Sequence, residues 1–327
     1  MEYCSSSKGR SIGKYILEKQ IGSGGFSSVY LASNCKTHQK CAVKCIERKS
    51  TQQLGLLPYL ESELRIYSRL NHPNIVKCYD ILYTDDFIMI VMEFMENSDM
   101  QNLIDSNHLF KQSDQIRIAV EILEALQYLH SRGISHRDIK PANIMFDSDF
   151  HAKLIDFGFC KENASNLHTI CGTHLLMAPE ILSNANYDGI KADIWSFAVT
   201  MHIMATHYLP FEYDSEAQYI RDIRTRSIKF NIRANGIIGW IVKNGMQYDP
   251  NDRVSAADML EYIKCRSSDN KIRMPQVRYV RRANTMGQLA KLTIPTNSPF
   301  KIRTRVALDN TTLKVSRDKP VVKFENF

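Results

Sequence analysis

Nothing in this chain approaches the roughly 20 consecutive apolar residues that span a bilayer, and Met1–Arg10 is polar, without the apolar core of a secretory leader. The eight cysteines, at positions 4, 35, 41, 45, 78, 160, 171 and 265, include no Cys-x-x-Cys pair, so neither a zinc ribbon nor a disulfide framework is indicated. No internal repeat is present, which sets aside solenoids and propellers. These absences lead to the expectation of a soluble, intracellular, cytoplasmic chain with free thiols and no transmembrane segment.

What the chain does have is size and an uneven charge. At 327 residues with 44% hydrophobic side chains it exceeds what one core usually holds, so two lobes, or a large domain with a tail, are expected. The net charge of +7 sits at one end: residues 266–327 carry 14 Lys and Arg against 4 Asp and Glu, a local +10, which leaves −3 on the preceding 265 residues. A uniformly basic nucleic-acid-binding domain would not be built this way, so no nucleic-acid partner is expected. The divisions read as a 1–14 N-terminal extension, a 15–265 folded domain, and a 266–327 basic, mostly disordered tail with prolines at 275, 295, 299 and 320. Within the tail, 277–280 and 291–294 are candidate strands. A solvated extension is the plainest account of it, and docking of acidic partners the alternative.

From Tyr15 to about Lys49, strand-like runs (15–21, 28–32 and 41–46) separated by glycine-rich or polar turns predict a small antiparallel sheet. Leu60, Leu64, Ile66, Tyr67 and Leu70 then fall at helical spacing, predicting a helix over 59–70 that stops before Asn71-His72-Pro73. Two more strands are expected at 75–83 and 87–94. Beyond Ser98 the pattern turns helical: Ser113 is placed to cap a long helix ending at His130, and 193–206, apolar on all faces, reads as a buried central helix.

Chemistry-bearing residues follow in order. Gly22-Ser23-Gly24-Gly25, just after the first strand, lets a backbone turn approach phosphate oxygens with its N–H donors, although glycine-rich hairpins are often only hairpins. Lys44, in Cys41-Ala42-Val43-Lys44, places an ammonium on an inward-packing strand, where it needs a charge partner; Glu63 on the predicted helix can supply one. The loop His136-Arg137-Asp138-Ile139-Lys140-Pro141-Ala142-Asn143 brings together an acid, Asp138, able to accept a hydroxyl proton, a cation, Lys140, able to neutralise charge on a moving phosphoryl group, and an amide, Asn143, able to ligand Mg²⁺. Asp156-Phe157-Gly158 sets a carboxylate at a strand end. Ala178-Pro179-Glu180 closes the segment, and Arg253 is a candidate partner for Glu180.

This order of glycine loop, strand lysine, helix glutamate, His-Arg-Asp loop, Asp-Phe-Gly and Ala-Pro-Glu resembles the eukaryotic protein kinases over about 15–264. The resemblance implies an α+β bilobal protein kinase fold. A small antiparallel β-sheet N-lobe with one helix (about 15–95) would stand on a larger, mainly α-helical C-lobe (about 96–265). It implies a serine/threonine protein kinase that uses ATP and Mg²⁺ and phosphorylates protein substrates. By position, Lys44 would contact the α/β-phosphates and pair with Glu63, Asp138 would be the catalytic base with Lys140 beside it, and Asn143 and Asp156 would hold the metal. Gly22, Ser23, Gly24 and Gly25 would cover the phosphates. Val29 and Ala42 would pack above the adenine and Met145 below it. Met92 would be the gatekeeper, the backbone of Glu93 and Met95 would meet the adenine edge, and Asp99 would lie near the ribose.

A packing column of Tyr67, Cys78, His136 and Phe157 is implied, as is a bond from Thr173 towards Asp138 and Lys140 in the serine/threonine form. Phe159 resembles members that prefer serine. Arg137 would grip a phosphate placed on Thr169 by an upstream kinase, the rival being an unmodified loop residue. Thr285 in the tail fits an autophosphorylation pattern. His174-Leu175-Leu176 replaces the frequent Pro-x-Tyr, which leaves preference for the residue after the acceptor open. The motif style is similar to the calmodulin-dependent and AMP-activated kinase group. The alternative is a pseudokinase-like scaffold with a partner-docking tail, against which the presence of Lys44, Asp138 and Asp156 counts.

Overall fold

Alternation of apolar and polar side chains in the first 95 residues becomes a sheet, and the longer helical spacings after it become a second lobe. The computed structural model describes residues 10–269 apart from 24–26, 54, 56, 163, 165–166, 168–172 and 184–185, and of residues 10, 57–59, 62–63 and 267–269 only the backbone. The candidate tail strands and Thr285 lie outside the described residues.

The N-terminal elements are β1 (Arg10–Ile12), β2 (Tyr15–Ser23), β3 (Ser27–Asn34), β4 (Lys40–Glu47), α1 (Arg48–Gln53), α2 (Leu57–Tyr67), β5 (Cys78–Tyr83) and β6 (Phe87–Glu93). The six strands form one antiparallel sheet in the order β1-β2-β3-β4-β6-β5. Through β1 the sheet takes in residues 10–12, from the stretch expected as an extension. Directly opposed residues share a face, and the register opposes Val29 to Lys44, Ala42 to Met92 and Lys44 to Ile90. Val29, Ala42, Lys44 and Met92 therefore line one face. Cys41, Val43, Cys45, Met89 and Val91 occupy the other and close a small core of their own.

Two helices follow β4, where sequence spacing indicated one. The short α1 has no apolar stripe; Thr51 holds it by donating to the Glu47 carbonyl at 2.7 Å. Helix α2 ends before Leu70 because Arg69 and Leu70 bond to Ile66 and Tyr67, three residues back, tightening the chain into turns ahead of Pro73.

The second lobe contains α3 (Met100–Asp105), α4 (Gln112–His130), β7 (Ile134–Ser135), β8 (Ile144–Phe146), β9 (Ala152–Leu154), β10 (Lys161–Glu162), α5 (Pro179–Ser183), α6 (Gly189–Thr206), α7 (Glu216–Arg224), α8 (Gly236–Gly245) and α9 (Ala256–Asp269). The bilobal α+β architecture is the one the sequence indicated. Ser113 does not cap α4: the helix begins at Gln112, and the cap position, at Lys111, lies two residues before Ser113. Gln115 closes that end, its amide donating to the Phe110 carbonyl at 2.9 Å. Helix α6 is buried around most of its girth, as its apolar composition requires, and Asp188 caps it by accepting from the Ile190 and Lys191 N–H groups. Arg253 meets Glu180 in a buried two-pronged pair at 2.6 and 2.7 Å, fixing α5 to the loop before α9.

His202, wholly buried in α6, lies 2.8 Å from the Tyr208 carbonyl through Nδ1 and accepts the Arg233 N–H at 3.0 Å on Nε2. Burial pushes its pKa below the ordinary histidine value; the Tyr208 carbonyl opposes this and the Arg233 charge adds to it. Because the folded pKa is lowered, the unfolded chain takes up its proton first as pH falls. The stability from neutral His202 is therefore complete above about pH 6.5 and declines below it, by at most about 1.4 kcal/mol per pH unit. His72, whose pKa is lowered by burial and by Arg132, acts in the same direction. Urea unfolding from pH 7 to 5 should show this decline, and His202→Gln should remove its share; an unchanged slope in the variant would contradict the assignment.

Candidate active site

The loop after β7 is held by a carboxyl group from below. Asp193, buried in the first turns of α6, accepts the His136 N–H on Oδ2 and the Arg137 N–H on Oδ1, both at 2.8 Å, and His130 Nε2 lies 3.0 Å from Oδ2. Arg137 thereby occupies the left-handed region at φ +69°, which costs a non-glycine residue about 1–2 kcal/mol. His136 accepts the Asp138 N–H at Nδ1 (3.3 Å) and bonds through Nε2 to the Ile155 carbonyl (3.0 Å), joining the loop to the strand before Asp156.

Asp138 is buried, and its two oxygens differ. Oδ2 accepts from Lys140 Nζ at 2.6 Å and from Asn143 Nδ2 at 2.9 Å; Oδ1 is buried without a hydrogen-bond partner among the described residues. Asn143 Nδ2 also donates to the Asp138 carbonyl at 2.8 Å, so its amide nitrogen is turned inward. A buried acceptor left unpaired costs about 1–3 kcal/mol, so Oδ1 retains the capacity to accept one hydrogen bond.

Asp156 follows β9, also left-handed at φ +59°. Its carboxylate lies 3.3 Å from Lys44 Nζ. Desolvation alone would raise its pKa, but the Lys44 charge and hydrogen bond outweigh this, helped by His136 and the Gly158 N–H, and hold it below the usual carboxylate range. The side chain of Glu63, the expected partner of Lys44, lies outside the described residues, although its backbone is in α2. Three members of the expected packing column meet: Phe157 faces the Tyr67 ring edge-on at 5.2 Å and the His136 ring at 5.1 Å; the fourth, Cys78, lies in β5 opposite Met92.

The connector between lobes is clamped from behind by the β8–β9 hairpin. Glu93 accepts from Lys153 Nζ at 2.6 Å, and its N–H donates to the Lys77 carbonyl at 2.9 Å. Asn97 donates through its N–H to the Phe146 carbonyl and through its side chain to the Asp147 carbonyl. Met95 is buried, and Asp99 bridges to Met145. Asp99 also caps α3, accepting the Asn102 N–H at 2.8 Å, a use its sequence position did not disclose.

Gly22 and Ser23 end β2 opposite Val29 and Ser28, whereas Gly24, Gly25 and Thr169 lie outside the described residues. Thr173 shares the cleft beside Asp138 with Arg137, Met177 and Tyr187. It donates no hydrogen bond to Asp138 or Lys140 among the described residues, correcting that expectation: Lys140 and Asn143 serve the Asp138 carboxyl from within their own loop. Sequence reasoning missed Asp193, Lys153 and Tyr187. A single carboxylate inside the apolar run of α6 was a usable signal for Asp193, since buried charge requires partners; the other two carried none.

A family model described as a protein kinase domain matches residues 15–263. Among curated proteins, CBL-interacting protein kinase 11 of Oryza sativa subsp. japonica is 32% identical over 254 residues, covering 76% of this chain and 51% of that protein. CBL-interacting serine/threonine-protein kinase 12 of Arabidopsis thaliana is 34% identical over 212 residues, covering 63% of this chain and 43% of that protein. CBL-interacting serine/threonine-protein kinase 15 of Arabidopsis thaliana is 32% identical over 254 residues, 76% of this chain and 60% of that protein. The chain thus spans about half the length of these relatives.

The clamp behind the connector is testable by unfolding. Lys153 and Glu93 are only 13% and 22% exposed, so Lys153→Met leaves a largely buried carboxylate short of its cation. It should lower unfolding free energy by about 1–3 kcal/mol. Adding Glu93→Gln should recover much of the loss; additive losses in a urea double-mutant cycle would contradict coupling across the connector.

Proposed function

We propose that this chain, which belongs to the protein kinase family, transfers the γ-phosphoryl group of ATP to serine or threonine hydroxyls of protein substrates. The observation that carries the reading is Asp138: one oxygen is fixed by Lys140 and Asn143, and the other is buried without a partner among the described residues, beside a small pocket shared with Arg137, Thr173 and Met177. In that role Oδ1 accepts the hydroxyl proton as the acceptor oxygen forms its bond to phosphorus and the bond to the ADP leaving group breaks. Lys140, already against Asp138, offsets charge on the moving phosphoryl group. Lys44 meets the α/β-phosphates, with Glu63 as its second carboxylate partner.

The donor set suits Mg²⁺. Asn143 has its nitrogen turned to Asp138, which leaves its carbonyl oxygen for a metal, and the Asp156 carboxylate is held ionised. Asn143 and Asp156 would hold the ion, which when bound neutralises phosphate charge. Val29, Ala42 and Met92, on one sheet face, and Met145 would supply apolar surfaces for adenine; Glu93 and Met95 would read its edge, Asp99 would meet the ribose, and Gly22, Ser23, Gly24 and Gly25 would cover the phosphates. Phe159, exposed beside the site, accords with a serine preference. Phosphorylation of Thr169 by an upstream kinase, an intracellular, cytoplasmic setting and docking of acidic partners by the tail complete the reading.

Purified chain with Mg-ATP and a serine/threonine peptide library should phosphorylate peptides, serine before threonine. Asp138→Asn should lower kcat by about 10²–10⁴-fold, the range of general-base catalysis. Equal turnover by the two proteins would overturn the reading and favour a silent scaffold.

A further inference from the structure

Tyr187, to which no motif gave a role, holds the arginine that precedes Asp138. Arg137 Nε and Nη2 donate to the Tyr187 hydroxyl at 3.1 and 2.7 Å, and Nη1 lies 3.5 Å from the Phe159 carbonyl oxygen. Charge-assisted bonds of this kind are stronger than neutral ones. Both side chains line the cleft beside Asp138.

Tyr187 is itself fixed. It is buried, and its backbone exchanges both hydrogen bonds with Leu167, at 2.9 and 3.0 Å. Two residues on, the Gly189 N–H donates to the Ala164 carbonyl at 2.8 Å. A Cβ at Gly189 would come within 2.5 Å of Ser135 Oγ and 2.7 Å of Leu167 Cδ1. Residues 187–189 are therefore wedged between the segment that follows Asp-Phe-Gly and the start of the catalytic loop, too tightly for one added methyl group.

Arg137 depends on such restraint. Its left-handed backbone is strained, and a planar peptide joins it directly to Asp138, so a rotation at one is felt at the other. Asp193 secures its N–H; Tyr187 secures its side chain. We propose that Tyr187 is a positioning residue for phosphoryl transfer, its hydroxyl tying Arg137 to the Leu167 segment so that Asp138 keeps its reactive orientation. This rests on the kinase reading above.

The test uses the full chain, phosphatase-treated so that no phosphate competes for Arg137, as wild type, Tyr187→Phe, Arg137→Ala and the double variant. Tyr187→Phe should lower kcat for a serine peptide about tenfold with the KM for ATP within about twofold, and the double variant should be no slower than Arg137→Ala alone. Amide hydrogen exchange over 134–139 should quicken in Tyr187→Phe. A kcat within twofold of wild type, losses that multiply in the double variant, or unchanged exchange would each overturn the proposal. Wild type no faster than Asp138→Asn would instead overturn the kinase reading, and the exchange measurement would then decide the Tyr187 clamp by itself.

Discussion

The contact on which the rest of the site depends is the one between Asp193 and the backbone of His136 and Arg137. A carboxyl group buried inside a mostly apolar helix is costly unless every oxygen is used, and here three N–H groups use them. In return, the loop adopts a turn that its own residues disfavour, with a left-handed arginine next to the acid that faces the cleft. From that turn follow the His136 bonds to Asp138 and Ile155, the packing of Phe157 between His136 and Tyr67, and the approach of Asp156 to Lys44. Core, loop and the Asp156 carboxylate are thus one continuous structure.

The two lobes meet through this structure and through the β8–β9 hairpin. Leu154 exchanges backbone bonds with Asn74 and Val76, Asn74 reaches the Ala152 carbonyl, and Lys153 holds Glu93. The connector is consequently supported along its back by the hairpin that also carries Met145 and leads to Asp156. The face that would meet a nucleotide and the residues that would hold its metal are set by neighbouring atoms of the same strands.

Much of this was legible in the sequence because the chemistry clusters along the chain. The strand carrying Lys44, the loop from His136 to Asn143 and the carboxylate at Asp156 announce themselves by unusual residues at short spacing, and the sheet follows from alternation. Contacts between distant segments were not legible. Nothing near Tyr187 indicates that its hydroxyl meets Arg137, and nothing near Lys153 points to Glu93, since neither pairing follows from local spacing. Helix α1 was missed because side-chain bonds to Glu47, and not an apolar stripe, hold it. Asp99 was read for a ligand although it also caps α3, since a carboxylate at a helix start serves either purpose.

The central claim is that a buried carboxyl group in α6 sets the geometry of the loop it holds by the His136 and Arg137 N–H groups. Asp193→Asn tests it most directly: the amide keeps the size of the side chain but sets an NH₂ against a backbone N–H. The account predicts a folded protein that binds Mg-ATP within about threefold of wild type yet phosphorylates peptide about 10²-fold more slowly, as a displacement of about 1 Å at the reacting centre would cause. A folded Asp193→Asn protein with wild-type kcat would contradict it.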